Sequence, residues 1–194
     1  MQNVRKLVLG TVAGLSVGLG GATTVHAQAA GALITLVMPS GEFGSARFTD
    51  LLVNSLGAAK GFCGALDESY RADCLAERIG SLASDIPEGS DYDEVRQLLQ
   101  QTSRDIASVA RSNRDASKPR QRASTGGSAP QTSSRPLTPV TQASLASVNQ
   151  QATAILERSE TILLRTPDDD SGKRLHYTRI AEAIGSNKTL LRST

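Results

Sequence analysis

The sequence predicts an all-α protein: a small helical bundle of about five helices, with an αα-hairpin stapled by one disulfide and a long disordered linker. Three observations carry that expectation. Apolar residues recur at three- and four-residue steps through most of 43–113 and again beyond residue 143, which is the period of a helix with one buried face. Aromatic residues make up only 3% of the chain, with no Trp and with Tyr177 the single aromatic beyond residue 100. A core must then be built from Leu, Ile, Val and Ala, which suits narrow helix–helix seams better than a sandwich or barrel. Finally, the only two cysteines, Cys63 and Cys74, stand at the break between two helical patterns.

Residues 1–27 read as a signal peptide. Arg5 and Lys6 form a short positive region, an uncharged Gly-rich apolar run follows from Leu7 to Val25, and Val25-His26-Ala27 offers a cleavage triplet before Gln28. Ala27-Gln28-Ala29 is a second site two residues on. The alternative is a retained anchor, since a run of about 19 uncharged residues is long enough to cross a bilayer. Five glycines and four Ser/Thr residues dilute the run, and the cleavage triplet closes it, so cleavage is expected. Cleavage leaves about 167 residues and lowers the formal charge from +2 to 0. A precursor pI of 8.7 is therefore no argument for nucleic-acid binding. The expected location is outside the cytoplasm, periplasmic or secreted, with no membrane-spanning segment in the mature chain.

Residues 28–42 form an apolar N-terminal segment. Leu33 to Met38 has strand character but no second strand to pair with, so it is expected to pack against the helices.

The region 43–113 is expected to hold three helices. Phe48, Leu52, Ser55, Ala59, Phe62 and Leu66 make the stripe of the first, flanked by Leu51 and Leu56, and Gly61 or Gly64 ends it. Asp67 or Ser69 caps the second, whose stripe runs through Leu75, Ile79, Leu82 and Ile86 until Pro87 breaks the hydrogen-bond ladder. Ser90-Asp91-Tyr92-Asp93 resembles a capping box for the third, with Val95, Leu99, Thr102, Ile106 and Val109 as its buried face.

Residues 114–142 change character. They are rich in Ser, Thr, Gln, Gly and Pro, contain Pro119, Pro130, Pro136 and Pro139, and read as a flexible linker. Between Arg111 and Arg135 six basic residues face one acid, Asp115, so contact with anionic lipid or polymer is an alternative to a plain tether.

Residues 143–194 are expected to be helical again. Leu145, Val148, Ala152, Ile155, Ser159 and Ile162 form one stripe, widened by Leu156 and Leu163 and stopped by Pro167. A fifth helix runs from about Lys173 to Ile184, leaving through Gly185 and Asn187, with Leu190 and Leu191 tucked back onto the bundle.

Sites for chemistry are scarce. The eleven-residue separation of Cys63 and Cys74 excludes a Cys-x-x-Cys redox pair, and two cysteines without nearby histidines do not make a structural zinc site. In an oxidising compartment they read as a disulfide, worth roughly 2–3 kcal/mol in the chain-entropy model. Gly14-Leu15-Ser16-Val17-Gly18 matches a nucleophile elbow but lies in the leader. His176 is the one histidine left after cleavage and is expected to be a partly exposed helical residue, with no serine marked out for it. Asp168, Asp169 and Asp170 fail the calcium-loop pattern, because Gly172 takes a ligand position and Arg179 stands where the bidentate Glu belongs. Asn187-Lys188-Thr189 is a glycosylation-type triplet of a kind common by chance. No catalytic residue, metal or cofactor is expected. The function expected is protein–protein interaction, as an adaptor, chaperone-like or assembly factor of the cell envelope with an unknown protein partner and no nucleic acid. The alternatives are an envelope-surface binder of anionic material, and an enzyme with an unrecognised site.

Overall fold

A computed structural model describes residues 46–126, 130–166 and 171–192. The leader, the apolar segment 28–42, Pro167 and the Asp168–Asp170 turn lie outside the described residues. Helix α1 spans Ala46–Gly64, α2 Glu68–Asp85, α3 Asp93–Ser112, α4 Leu145–Arg165, α5 Ser171–Ser186 and the short α6 Lys188–Arg192, with a 3-10 turn at Gln142–Ser144 leading into α4. Among the described residues there is no strand, and no helix is long and apolar enough to cross a membrane. The fold is all-helical, as the periodicity predicts.

The helices alternate in direction. The short turn 86–92 folds α3 back along α2, and Thr102 on α3 meets Ser159 on α4 at 2.7 Å. Helix α5 then runs parallel to α1, with Thr49 against His176, Asp50 against Arg179 and Gly64 against Leu190. One end of the bundle therefore carries the start of α1 and the α2–α3 and α4–α5 turns. The opposite end carries the disulfide corner, α6 and both feet of the loop 113–141.

The core follows the predicted composition. Phe48, Leu52, Leu56, Leu75, Ile79, Leu99, Ile106, Leu156, Leu163, Ile180 and Ile184 are almost wholly buried, with the rings of Tyr92 and Tyr177 among them. On α1 the stripe closes through Leu56 rather than Ser55. Helices α2 and α3 approach closely at Gly80, where a Cβ would fall 2.5 Å from the Ser103 hydroxyl. That hydroxyl donates to the Ala76 carbonyl at 2.7 Å. Leu190 and Leu191 of α6 are buried, as expected.

Three details depart from the expected elements. The capping box at Ser90 and Asp93 does not form, because the Ser90 hydroxyl donates to the Pro87 carbonyl at 2.8 Å. Asp93 instead accepts from the Gly89 amide at 3.2 Å and from Arg96 at 2.7 Å. Gly89 makes this turn possible at φ +70°, a backbone conformation open to glycine at no steric cost. The inner face of α4 is also rotated. Leu156 and Leu163 point inward, while Ile162 is 43% exposed. Two heptad series one residue apart compete for the seam, and contacts with α3 and α5 select the leucines.

The third departure is the largest: in the segment 114–142, expected to be a flexible linker, the described residues 114–126 and 130–142 fold back onto α2. Isolated antiparallel bridges join Arg114 to Val140, Gln121 to Leu137 and Ser124 to Thr132. Ala123, Ser133, Leu137, Thr138 and Val140 are buried. Among its described residues the excursion is an ordered loop without a regular strand, and the source of its order is polar.

Candidate functional site

Helix α2 carries two acids one turn apart, Asp73 and Glu77, inside its buried surface, with Ala72, Cys74, Leu75 and Ala76 around them. A carboxylate removed from water needs hydrogen bonds and a counter-charge, and the loop supplies both. Arg135 grips Asp73 with two parallel bonds, Nη1 to Oδ2 at 2.6 Å and Nη2 to Oδ1 at 2.9 Å. The Thr138 amide donates to the same carboxylate at 2.7 Å, and the Ser134 amide donates to Glu77 at 2.7 Å. A bidentate Arg–carboxylate pair fixes orientation as well as charge. The hydrogen bond to Asp73 pushes the Arg135 guanidinium above its ordinary pKa, against the opposing effect of its burial.

Further contacts pin the two legs of the loop. The Tyr70 hydroxyl donates to the Pro119 carbonyl at 2.8 Å, and the Val140 amide donates to the Ser69 carbonyl at 2.9 Å. Lys118 reaches Asp67 at 3.3 Å and the Ser69 hydroxyl at 3.2 Å. Asp67 is the N-cap of α2 and accepts from the Ser69 amide at 3.0 Å. Hydrogen bonds from Ser69, side chain first and amide second, hold the Asp67 carboxyl below its usual range, and Lys118 adds to this. Arg122 closes the hairpin across its own legs by donating to the carbonyls of Ser133 and Ser134 at 3.0 and 2.7 Å.

The loop therefore sorts the six basic residues of the sequence into two groups. Lys118, Arg122 and Arg135 are engaged in holding it. Arg111, Arg114 and Arg120 are exposed and have no ion-pair partner among the described residues. Further along α2 the loop leaves a shallow groove, walled by Ser134 and Arg135, by Gly80, Ser84 and Asp85 of α2, and by Ser103 of α3. Burial raises the Asp85 carboxyl above its ordinary pKa.

The residues singled out from the sequence lie elsewhere. Cys63 and Cys74 form a disulfide with their Cα atoms 5.7 Å apart, and both are fully buried. The bridge ties the last turn of α1 to the second turn of α2. His176 is only 8% exposed, a correction to the partly exposed residue expected. Its Nδ1 lies 2.8 Å from the Thr49 hydroxyl, which lies 3.0 Å from the Tyr92 hydroxyl. On the next residue the Tyr177 hydroxyl donates to Glu94 at 2.8 Å, and Lys173 pairs with Glu94 at 3.0 Å. These bonds fasten α1, α3 and α5 at one level of the bundle. His176 lines neither the groove at the loop nor the groove between α1 and α5.

Asn187 is fully buried, and its side-chain amide donates to the Ala183 carbonyl at 2.9 Å, so the glycosylation-type triplet is closed off in the fold. Among the described residues no group of three or more His, Cys, Asp or Glu is placed to hold a metal ion. The fold and this site define a disulfide-stapled helical bundle that carries a docked polar loop. Compared with known protein families, curated proteins and solved structures, the chain matches none.

Proposed function

We propose that this chain is an exported, non-catalytic interaction protein of the cell envelope, an adaptor, chaperone-like or assembly factor, with the docked loop 114–140 as its recognition element. One observation carries the reading: a long polar excursion is held against α2 by the Arg135–Asp73 pair, whose carboxylate is buried, while Arg114 and Arg120 of the loop and Arg111 at the end of α3 stay exposed. Loops set on a rigid scaffold are where binding residues concentrate. A loop ordered before binding avoids the entropic cost of ordering on contact. Export is supported by the leader pattern around Arg5, Lys6 and Ala27 and by the disulfide, which suits an oxidising compartment.

The test is in-cell photocrosslinking from Arg120 and from Gln131, with exposed Gln151 on α4 as the control position. Capture of a defined protein from the loop positions, absent from Gln151 and lost in Arg135→Ala, supports the reading. Equal capture from all three positions, or none from the loop, overturns it. The exposed arginines Arg111, Arg114 and Arg120 favour a second reading, in which the loop engages anionic lipid or polymer. Vesicle binding that weakens with salt and is lost in the triple alanine variant would select that reading over a protein partner.

A further inference from the structure

The groove between the loop and the α2–α3 seam is rich in acceptors and poor in free donors. It encloses about 380 Å³ and is lined in part by Glu77 and Asp85 of α2, a volume at the small end of the range for ligand sites. Two of its hydroxyls donate to helix carbonyls, Ser84 to Gly80 at 3.0 Å and Ser103 to Ala76 at 2.7 Å. Each is left with lone pairs for a ligand. The cation on its wall, Arg135, is already engaged with both oxygens of Asp73.

Glu77 is only 4% exposed, and a carboxylate so enclosed requires hydrogen bonds to its oxygens. Its Oε1 accepts from the Ser134 amide at 2.7 Å, but its Oε2 accepts no hydrogen bond among the described residues. Arg78 Nε stands 3.4 Å from Oε2 as a charge contact without a hydrogen bond. The Arg78 guanidinium lies over the Phe62 ring at 3.8 Å, and its Nε and Nη2 are themselves unsatisfied. Arg135 interacts with Glu77 as a charge while its bonds go to Asp73. Two turns further along α2, Asp85 is half-buried, and its side chain has no hydrogen bond or ion pair among the described residues.

Unsatisfied carboxylates, hydroxyl lone pairs and no free donor suit a ligand that only donates. Glu77 and Asp85 stand eight residues apart on one helix, about 12 Å along its axis. That is too far to share one metal ion, whose oxygen ligands lie at about 2.0–2.6 Å. A guanidinium fits both oxygens of one carboxylate, and Glu77 has one to offer. An ammonium is a compact charge with three rotatable donors, which suits one carboxylate oxygen and scattered hydroxyls. We propose that this groove binds a primary ammonium group against Glu77, carried by a free polyamine that also reaches Asp85 or by a lysine side chain. The inference stands whether or not the loop recognises a protein.

The test is a titration of the ¹⁵N-labelled full chain, followed by amide chemical shifts, with spermidine and with Nα-acetyl-lysine methylamide. Both should give saturable shifts at Ser134, whose amide shares the Glu77 carboxylate, and at Ser103. Spermidine binding about tenfold or more tighter identifies a free polyamine as the carrier, and equal or weaker binding identifies a lysine side chain. Glu77→Gln keeps an acceptor for the Ser134 amide and should weaken both probes about tenfold or more. Asp85→Asn, at a half-buried position, should weaken spermidine alone if it is the carrier. Unchanged helical circular dichroism in both variants separates lost binding from lost folding. The Nε-acetylated lysine derivative, which has no charge, should give no saturable shift. Absence of saturable shifts from both probes, equal binding of the acetylated derivative or of the matching arginine derivative, or binding indifferent to Glu77→Gln would overturn the proposal.

Discussion

Removing the Arg135 guanidinium tests most directly what orders the loop. In Arg135→Ala the Asp73 carboxylate stays where it is, with a side chain only 1% exposed, and keeps the Thr138 amide as its remaining loop donor. Breaking a fully buried ion pair by deleting one partner costs about 3–5 kcal/mol. Arg135 is itself 39% exposed, so water already screens part of the pair, and the expected loss is about 1.5–3 kcal/mol. With a urea dependence of about 2 kcal/mol per molar for a domain of this size, the unfolding midpoint should fall by about 1 M. Amide exchange at Ser134 and Thr138 should accelerate before the helices open. The double variant Asp73→Ala/Arg135→Ala should recover part of the loss, because no carboxylate is then left stranded, and the coupling between the two sites should be about 1–3 kcal/mol. A loss below about 0.5 kcal/mol with loop exchange unchanged would place the ordering in Leu137 and Val140 rather than in the ion pair.

Three further expectations follow from the packing and the charges. Replacing Cys63 and Cys74 together by Ser should cost about 2–3 kcal/mol in chemical denaturation, and native protein should show no titratable thiol. Leu156→Ala should cost about 2–5 kcal/mol and Ile162→Ala less than about 0.5 kcal/mol, so equal losses would refute the observed rotation of α4. Stability should also depend on pH at both extremes. The hydrogen bond from Tyr177, then that from Lys173, holds Glu94 below its ordinary value of 4.5, so this contribution is present above that value and is lost as pH falls through the lower folded pKa. Burial first, and Glu94 second, raises Tyr177 above its ordinary value of 10.0, so stability should decline as pH rises beyond 10.0. Urea midpoints across pH should show both limbs, and Tyr177→Phe should flatten the alkaline one.

The helices were legible because their signals are local. Pro87 and Asp67 mark boundaries whatever lies nearby, and a 3.6-residue stripe needs only its own segment to be seen. The seam of α4 was less legible: Ile155 and Ile162 obey the same seven-residue step as Leu156 and Leu163, and only neighbouring helices choose between them. The order of the loop is hidden in the sequence because its composition is polar and its anchors are distant, Arg135 being 62 residues from Asp73. A trace was nonetheless present, since Asp73 and Glu77 interrupt an apolar run on α2 and a buried carboxylate implies a partner somewhere in the chain. His176 carried no such mark, because its partner Thr49 lies 127 residues away and looks like any helical threonine.

The full burial of Cys63 and Cys74 has a consequence for the order of assembly. Once the hairpin and loop are in place, neither sulfur is open to an oxidant, so the bridge must form while α1 and α2 are still only loosely joined. Asp73, the residue next to Cys74, receives Arg135 and Thr138 afterwards, from a segment synthesised more than 60 residues later. The eleven-residue separation makes early closure inexpensive in chain entropy. A chain oxidised late would meet its oxidant with the thiols already enclosed, and would have to reopen the corner to be sealed.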